Sequence, residues 1–202
     1  MFAIKLNAIQ MENTNQQQLD LIAQMIKTAQ RRFYDDSPYY ILWGTAVAIA
    51  SLVQYFLLLV KSEYNALGWA VCIPSALIIQ FIIVRKQKSE EKVKTHVESI
   101  LVNMWIAFGI TLFIILLFAN KLGLNTYPVV LCLYALSTFV SGAAFRIKAF
   151  VVGSIACWIL AIVGFFVQFE IQLLLLAAGV LAAFIVPGII LRASEKADAV
   201  NQ

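Results

Sequence analysis

The residues able to do chemistry in this chain are few, and their spacing assembles no reaction centre. His96 is the one histidine, and it lies in the charged run Arg85-Lys-Gln-Lys-Ser-Glu-Glu-Lys-Val-Lys-Thr-His-Val-Glu98. A solvated role is expected there, because a general base or metal ligand needs convergent partners and the neighbouring sequence supplies none. Cys72, Cys132 and Cys157 each interrupt an apolar run. Three cysteines without Cys-x-x-Cys spacing make neither a disulfide framework nor a zinc site, so they read as small packing side chains. Glu170 is the one charge between residues 149 and 191 and reads as a group that keeps a turn in water. No Asp, Glu, Lys, Arg or His lies well inside an apolar run, whereas proton relays, ion coupling and catalysis within a bilayer depend on such residues. No catalytic residue, cofactor or metal is therefore expected, and the chain reads as non-enzymatic.

The polar groups that do fall inside apolar runs are neutral: Thr45, Gln54, Gln80, Asn103, Ser137, Thr138, Ser141 and Ser154. Six of them, Gln54, Gln80, Asn103, Ser137, Thr138 and Ser141, form a candidate polar cluster. One reading is hydrogen bonding between helices, which contributes about 0.6 to 2 kcal/mol per bond in a bilayer. The other is a polar cavity through which a neutral or weakly polar solute passes. Ser137, Ser141 and Gly142 recur on one helical face and suit close helix contact. Pro74 and Pro187-Gly188 free backbone carbonyls and predict kinks. Paired helix breaks flag binding sites in some transporters, but these two lie at different depths.

The elements that must position these groups follow from composition. Of 202 residues, 62% are hydrophobic and 13% charged, with a mean hydropathy of +0.86; a soluble domain has roughly 25% charged residues. Six apolar spans are expected, at about 38–60, 64–84, 99–119, 126–145, 149–168 and 171–191, each near the ~20 residues that cross a hydrocarbon core. A single helix over 149–191 would be about 65 Å long, about twice that core. A tight reversal is therefore expected at Gln168-Phe169-Glu170. The fold class is an all-α integral membrane protein, with six transmembrane helices in three hairpins and an N-terminal cytoplasmic amphipathic helix.

Orientation comes from the cations. Lys5, Lys27, Arg31 and Arg32, the five Lys and Arg of the loop 85–98, Arg146 and Lys148, and Arg192 and Lys196 all fall on one side of this map; only Lys61 and Lys121 fall on the other. Placement beside apolar runs explains the net charge of +4 as a positive-inside signal and not as a nucleic-acid footprint. Both termini are expected in the cytoplasm. Tyr39, Tyr40 and Trp43 are expected as an interfacial aromatic belt.

Residues 1–36 form the expected cytoplasmic segment. Residues 1–10 lack a signal-peptide pattern. Over 14–34, Thr14 and Gln17 have capping-box spacing, and Leu19, Ile22, Ile26, Ala29 and Phe33 fall on one face at steps of three and four. Leu19, Ile22, Ile26 and Phe33 are the candidate contact face, either packing on the protein's own cytoplasmic side or docking a cytoplasmic protein partner or a second copy. In the loop 85–98, Glu90 and Lys94 pair at i,i+4, and Val93, Val97 and Ile100 share a face, which predicts that the third span extends back towards Ser89. Residues 192–202 are expected as a polar tail. Trp43, Trp105 and Trp158 each open a hairpin and are followed by small residues, a similarity that apolar helices share by composition.

The stretches Leu19-Asp-Leu-Ile-Ala-Gln-Met-Ile-Lys27, Tyr39-Tyr-Ile-Leu-Trp-Gly44, Cys157-Trp-Ile-Leu-Ala-Ile-Val-Gly164 and Phe169-Glu-Ile-Gln-Leu173 resemble a family of small polytopic bacterial inner-membrane proteins with no assigned activity. The likeness runs from about residue 13 to 191. It implies a bacterial inner-membrane setting and carries no functional residue over. The function expected is a non-enzymatic membrane interaction or regulatory component acting through its cytoplasmic face. The alternative is a small transporter or channel. The bilayer and a cytoplasmic protein or second copy are the expected partners, with no nucleic acid.

Overall fold

Apolar residues on every side of a helix leave no face to prefer, so packing and not amphipathicity has to sort these helices. The computed structural model describes residues 37–86 and 96–190, with side chains over 38–85 and 99–190. The expected helix over 14–34, with its Leu19, Ile22, Ile26 and Phe33 face, the polar loop 87–95 and the tail lie outside the described residues. Helix α1 spans Ser37–Leu59, α2 Leu67–Lys86 and α3 His96–Leu117. The short α4, Ala119–Leu122, and a 3-10 turn, Gly123–Asn125, lead into α5, Thr126–Ala144. Helix α6 spans Lys148–Gly164, and α7, Phe169–Val180, continues as a π-helical segment, Leu181–Ile185. No strand occurs among the described residues.

Five stretches are long and apolar enough to cross a membrane: Pro38–Leu59, Leu67–Arg85, Ser99–Leu117, Ala119–Ala144 and Phe169–Ile190. The sixth apolar helix, α6, has 17 residues. Large apolar side chains cover the outside, among them Phe56, Phe81, Ile110, Phe113 and Phe166, while Ser51, Gln54, Thr138, Ser154 and Gln172 are buried. In water such a surface would be an association site over most of its area. It is compatible with a multi-pass membrane protein.

Helices α1, α5, α6 and α7 make the core, with Val47, Leu131, Tyr134, Ala135, Cys157, Leu173, Leu176 and Phe184 in contact. Half of the Phe169–Ile190 window is buried, against 11% for Leu67–Arg85 and 6% for Ser99–Leu117, which makes α2 and α3 peripheral. Helix α2 leans on α1, and α3 leans chiefly on α5. Small residues set the crossings. A Cβ on Gly153 would stand 2.5 Å from the Ala182 carbonyl oxygen and 2.9 Å from Ala183 Cα, so α6 and α7 meet backbone to backbone there. That contact falls on the π segment. Pro187 has no N–H to give the carbonyls before it, and the turn preceding a proline widens.

Tyr40, near the start of α1, packs against the neighbouring helices. Its partly buried ring lies 5.0 Å from Phe150, 6.0 Å from Trp105 and 5.9 Å from Phe184. Which way α1 is rotated decides this, and its all-round apolar sequence does not encode that rotation. The reversal after α6 differs from the expectation. Helix α6 ends at Gly164, and Gln168 is extended (φ −66°, ψ 156°) as the N-cap of α7. Phe169 and Glu170 therefore belong to the first turn of α7, where a carboxylate suits the positive end of the helix dipole.

Two helix ends share an unusual finish. After α1, Lys61 N–H bonds to Leu58 O at 3.0 Å and Ser62 N–H to Leu57 O at 2.9 Å. After α5, Arg146 N–H bonds to Ala143 O at 3.2 Å and Ile147 N–H to Gly142 O at 2.8 Å. Both are Schellman motifs, whose left-handed residue is usually glycine. Here the residues are Lys61 (φ 52°) and Arg146 (φ 56°). A side chain in that conformation costs about 1 to 2 kcal/mol, offset in part by a cation's attraction to the helix C-terminus.

Candidate functional site

The most connected polar site joins three helices. Gly68 opens α2 against α1 so closely that a Cβ would stand 2.9 Å from Ala50 O and 3.0 Å from Val53 Cβ. That approach brings the next residue, Trp69, over Gln54 of α1. The Trp69 indole donates to Gln54 Oε1 at 2.6 Å, and the Tyr127 hydroxyl of α5 donates to the same oxygen, also at 2.6 Å. An indole N–H can only donate, so the amide atom facing it is the carbonyl oxygen. A carbonyl has two lone pairs, and here both are used. Gln54 is only 7% exposed, which leaves water little access to replace either bond. Tyr127 is further held by ring contact with Phe169 at 5.1 Å.

A second pair repeats the chemistry at the other end of the same two helices: Trp43 of α1 donates to Gln80 Oε1 of α2 at 2.8 Å. Together, the two indole–amide bonds bind α2 to α1. All the groups concerned are neutral, and what they can do is fix helix register.

The remaining candidate residues are placed separately. Thr138 and Ser141 bond back to carbonyls of their own helix, Thr138 to Tyr134 at 2.8 Å and Ser141 to Ser137 at 2.9 Å. Both side chains are buried, as is Ser137. Their face meets α6, where a Cβ on Gly142 would stand 2.8 Å from Phe150 Cβ. Thr45 and Ser154 likewise bond backbone carbonyls one turn earlier. Asn103 is exposed on peripheral α3. Among the described residues no side-chain-to-side-chain hydrogen bond joins any two of Gln54, Gln80, Asn103, Ser137, Thr138 and Ser141.

The decisive partners are residues that sequence reasoning passed over: Trp69, Tyr127 and, as a donor, Trp43. The available signal was an inventory, since an indole or phenol inside an apolar span needs an acceptor and the glutamines are the ready ones. Gln172 was passed over too. It is buried; its amide nitrogen donates to Val167 O at 3.2 Å across the α6–α7 turn, and its oxygen is buried without a partner. Cys157 donates its thiol to Gly179 O at 3.1 Å, and all three cysteines are free. Among the described residues no three His, Cys, Asp or Glu side chains come together as a metal site would require.

Comparison with protein families, with curated proteins and with solved structures finds no match to this chain.

Proposed function

We propose that the chain is a six-span protein of the bacterial inner membrane, with both termini in the cytoplasm, and that it acts without catalysis by offering its cytoplasmic face to a protein partner. The observation that carries this reading is the division of labour among polar groups. Lys61, Glu63, Arg85, Lys121, Arg146, Lys148 and Glu170 stand at helix ends or in turns. Between those ends, Gln54 and Gln80 are engaged in joining helices, and Thr138 and Ser141 of α5 are engaged within their own helix. What is left for recognition is the end of the bundle that carries the cations.

The sixth span is α6. Its 17 residues reach about 25 Å at ~1.5 Å per residue, the short end of what crosses a hydrocarbon core. The apolar Phe165, Phe166 and Val167 extend it towards the interface. Orientation rests on the thirteen cations expected on one side against Lys61 and Lys121 on the other. The resemblance to small polytopic bacterial proteins agrees with this setting.

Reporters fused to the two ends test the topology: both should be active only in the cytoplasm, and one active outside refutes it. For the function, residues 1–34 are deleted and partners captured by crosslinking in intact cells. The deletion should keep the membrane domain folded and lose the partners; unchanged partners overturn the proposal. Flux of a neutral solute through liposomes holding the purified chain, lowered by Gln80→Leu or Asn103→Leu, would establish the transport reading in its place.

A further inference from the structure

We infer that the cleft between the end of α5 and the start of α6 binds an anionic phospholipid, its phosphate held by Arg146 and Lys148 and its acyl chain laid against Ala143, Val151 and Val152. The inference rests on the membrane reading above and adds a ligand to it.

Those residues and Gly142 line a cleft of about 340 Å³. Its chemistry is divided by depth. The two cations stand at the α5–α6 turn, while Gly142 and Ala143 lie about one helical turn before Arg146, and Val151 and Val152 about one turn after Lys148. At ~1.5 Å per residue the apolar part extends about 5 to 6 Å below the charges. The hollow lies over exposed Ala143, which carries only a methyl; Gly142 is buried and lets α6 come close, with Val151 N 3.0 Å from where a Cβ would stand. On the far wall Val152 is 66% exposed, so the cleft is open sideways, where an acyl chain would enter.

Arg146 and Lys148 are both exposed, and among the described residues neither has a carboxylate partner. Glu63 and Glu170 follow α1 and begin α7, at the opposite end of the bundle from the α5–α6 turn. Lys61, which finishes α1 in the same left-handed conformation, has Glu63 two residues away and no second cation beside it. Arg146 occupies a position where glycine would suit the backbone best, so the turn holds a cation at a conformational cost. A free phosphate would leave the apolar floor empty, and a zwitterionic headgroup would bring its own cation against two others. Basic pockets between helices at the cytoplasmic surface suit anionic headgroups.

The test uses the full chain purified in uncharged detergent, with bound lipid read by native mass spectrometry. Phosphatidylglycerol is compared with phosphatidylcholine of the same acyl chains and with glycerol phosphate, which has the head alone. Phosphatidylglycerol should bind in preference to both. Arg146→Gly, which fits the turn's backbone, and Lys148→Gln should each weaken it about fivefold, and together about thirtyfold. Equal binding of the two lipids, or a double variant that binds like the parent, overturns the inference. Glycerol phosphate binding as tightly as the lipid overturns it in favour of a free-anion site. If the chain leaves the membrane without detergent, the membrane reading itself fails; a membrane-integral chain with no lipid preference refutes this inference alone.

Discussion

Gln54 offers the sharpest test of how the helices are held. Its carbonyl oxygen serves two donors from two other helices, so the three side chains should behave as one unit. Tyr127→Phe removes a hydroxyl and leaves the ring on Phe169; Gln54 keeps Trp69, and the expected loss is one intramembrane bond, about 0.6 to 1.7 kcal/mol. Gln54→Leu keeps the bulk but leaves both donors without an acceptor, for a loss of about 1 to 3 kcal/mol. Trp69→Phe alone also leaves the oxygen one donor. The double variant Tyr127→Phe/Trp69→Phe leaves it none, in a residue 7% exposed. The double loss should therefore exceed the sum of the singles by about 0.5 to 1 kcal/mol. Equilibrium unfolding by sodium dodecyl sulfate in mixed micelles, followed by far-ultraviolet circular dichroism, measures all four variants in one scale. A Gln54→Leu protein as stable as the parent, or a coupling energy of zero within error, would refute the shared-acceptor argument.

Gly153→Ala should destabilise the chain by about 1 to 3 kcal/mol, because the new methyl meets Ala182 O and Ala183 Cα, which are backbone and cannot rotate aside. Gly109→Ala is the control: nothing lies within 4 Å of its Cβ position, so the better helix former should leave stability unchanged or raised by about 0.5 kcal/mol in the same unfolding assay. A small permeant maleimide should spare Cys157, which is buried and bonded to Gly179 O, until the protein is unfolded; mass mapping of the adducts checks this, and early labelling of Cys157 would contradict the α6–α7 packing.

Much of the helical layout was legible because a bilayer's thickness and the chain's rise per residue set a length that apolar runs either reach or miss. Runs near 38–60, 64–84, 99–119 and 126–145 stand beside α1, α2, α3 and α5. The end of α6 was less legible: Phe165, Phe166 and Val167 are as apolar as the helix before them, so hydropathy continues where the backbone has already turned. The partners of the polar groups were not legible at all. Gln54 and Gln80 could be picked out as polar residues in apolar runs, but Trp69 and Tyr127 are 15 and 73 residues from Gln54, and only packing brings them together.

By itself, then, the sequence determined that this chain is built of apolar helices, most of them long enough to cross a membrane, because transfer out of water depends on composition and run length alone. Only the tertiary structure decided that Tyr40 packs on Phe150, that α2 and α3 are peripheral, that Gln54 ties three helices, and that Arg146 and Lys148 share a cleft. The physical reason is rotation. A helix apolar on every side carries no hydrophobic direction, so its facing is chosen by where Gly44, Gly68, Gly142 and Gly153 let backbones approach and where donors and acceptors meet.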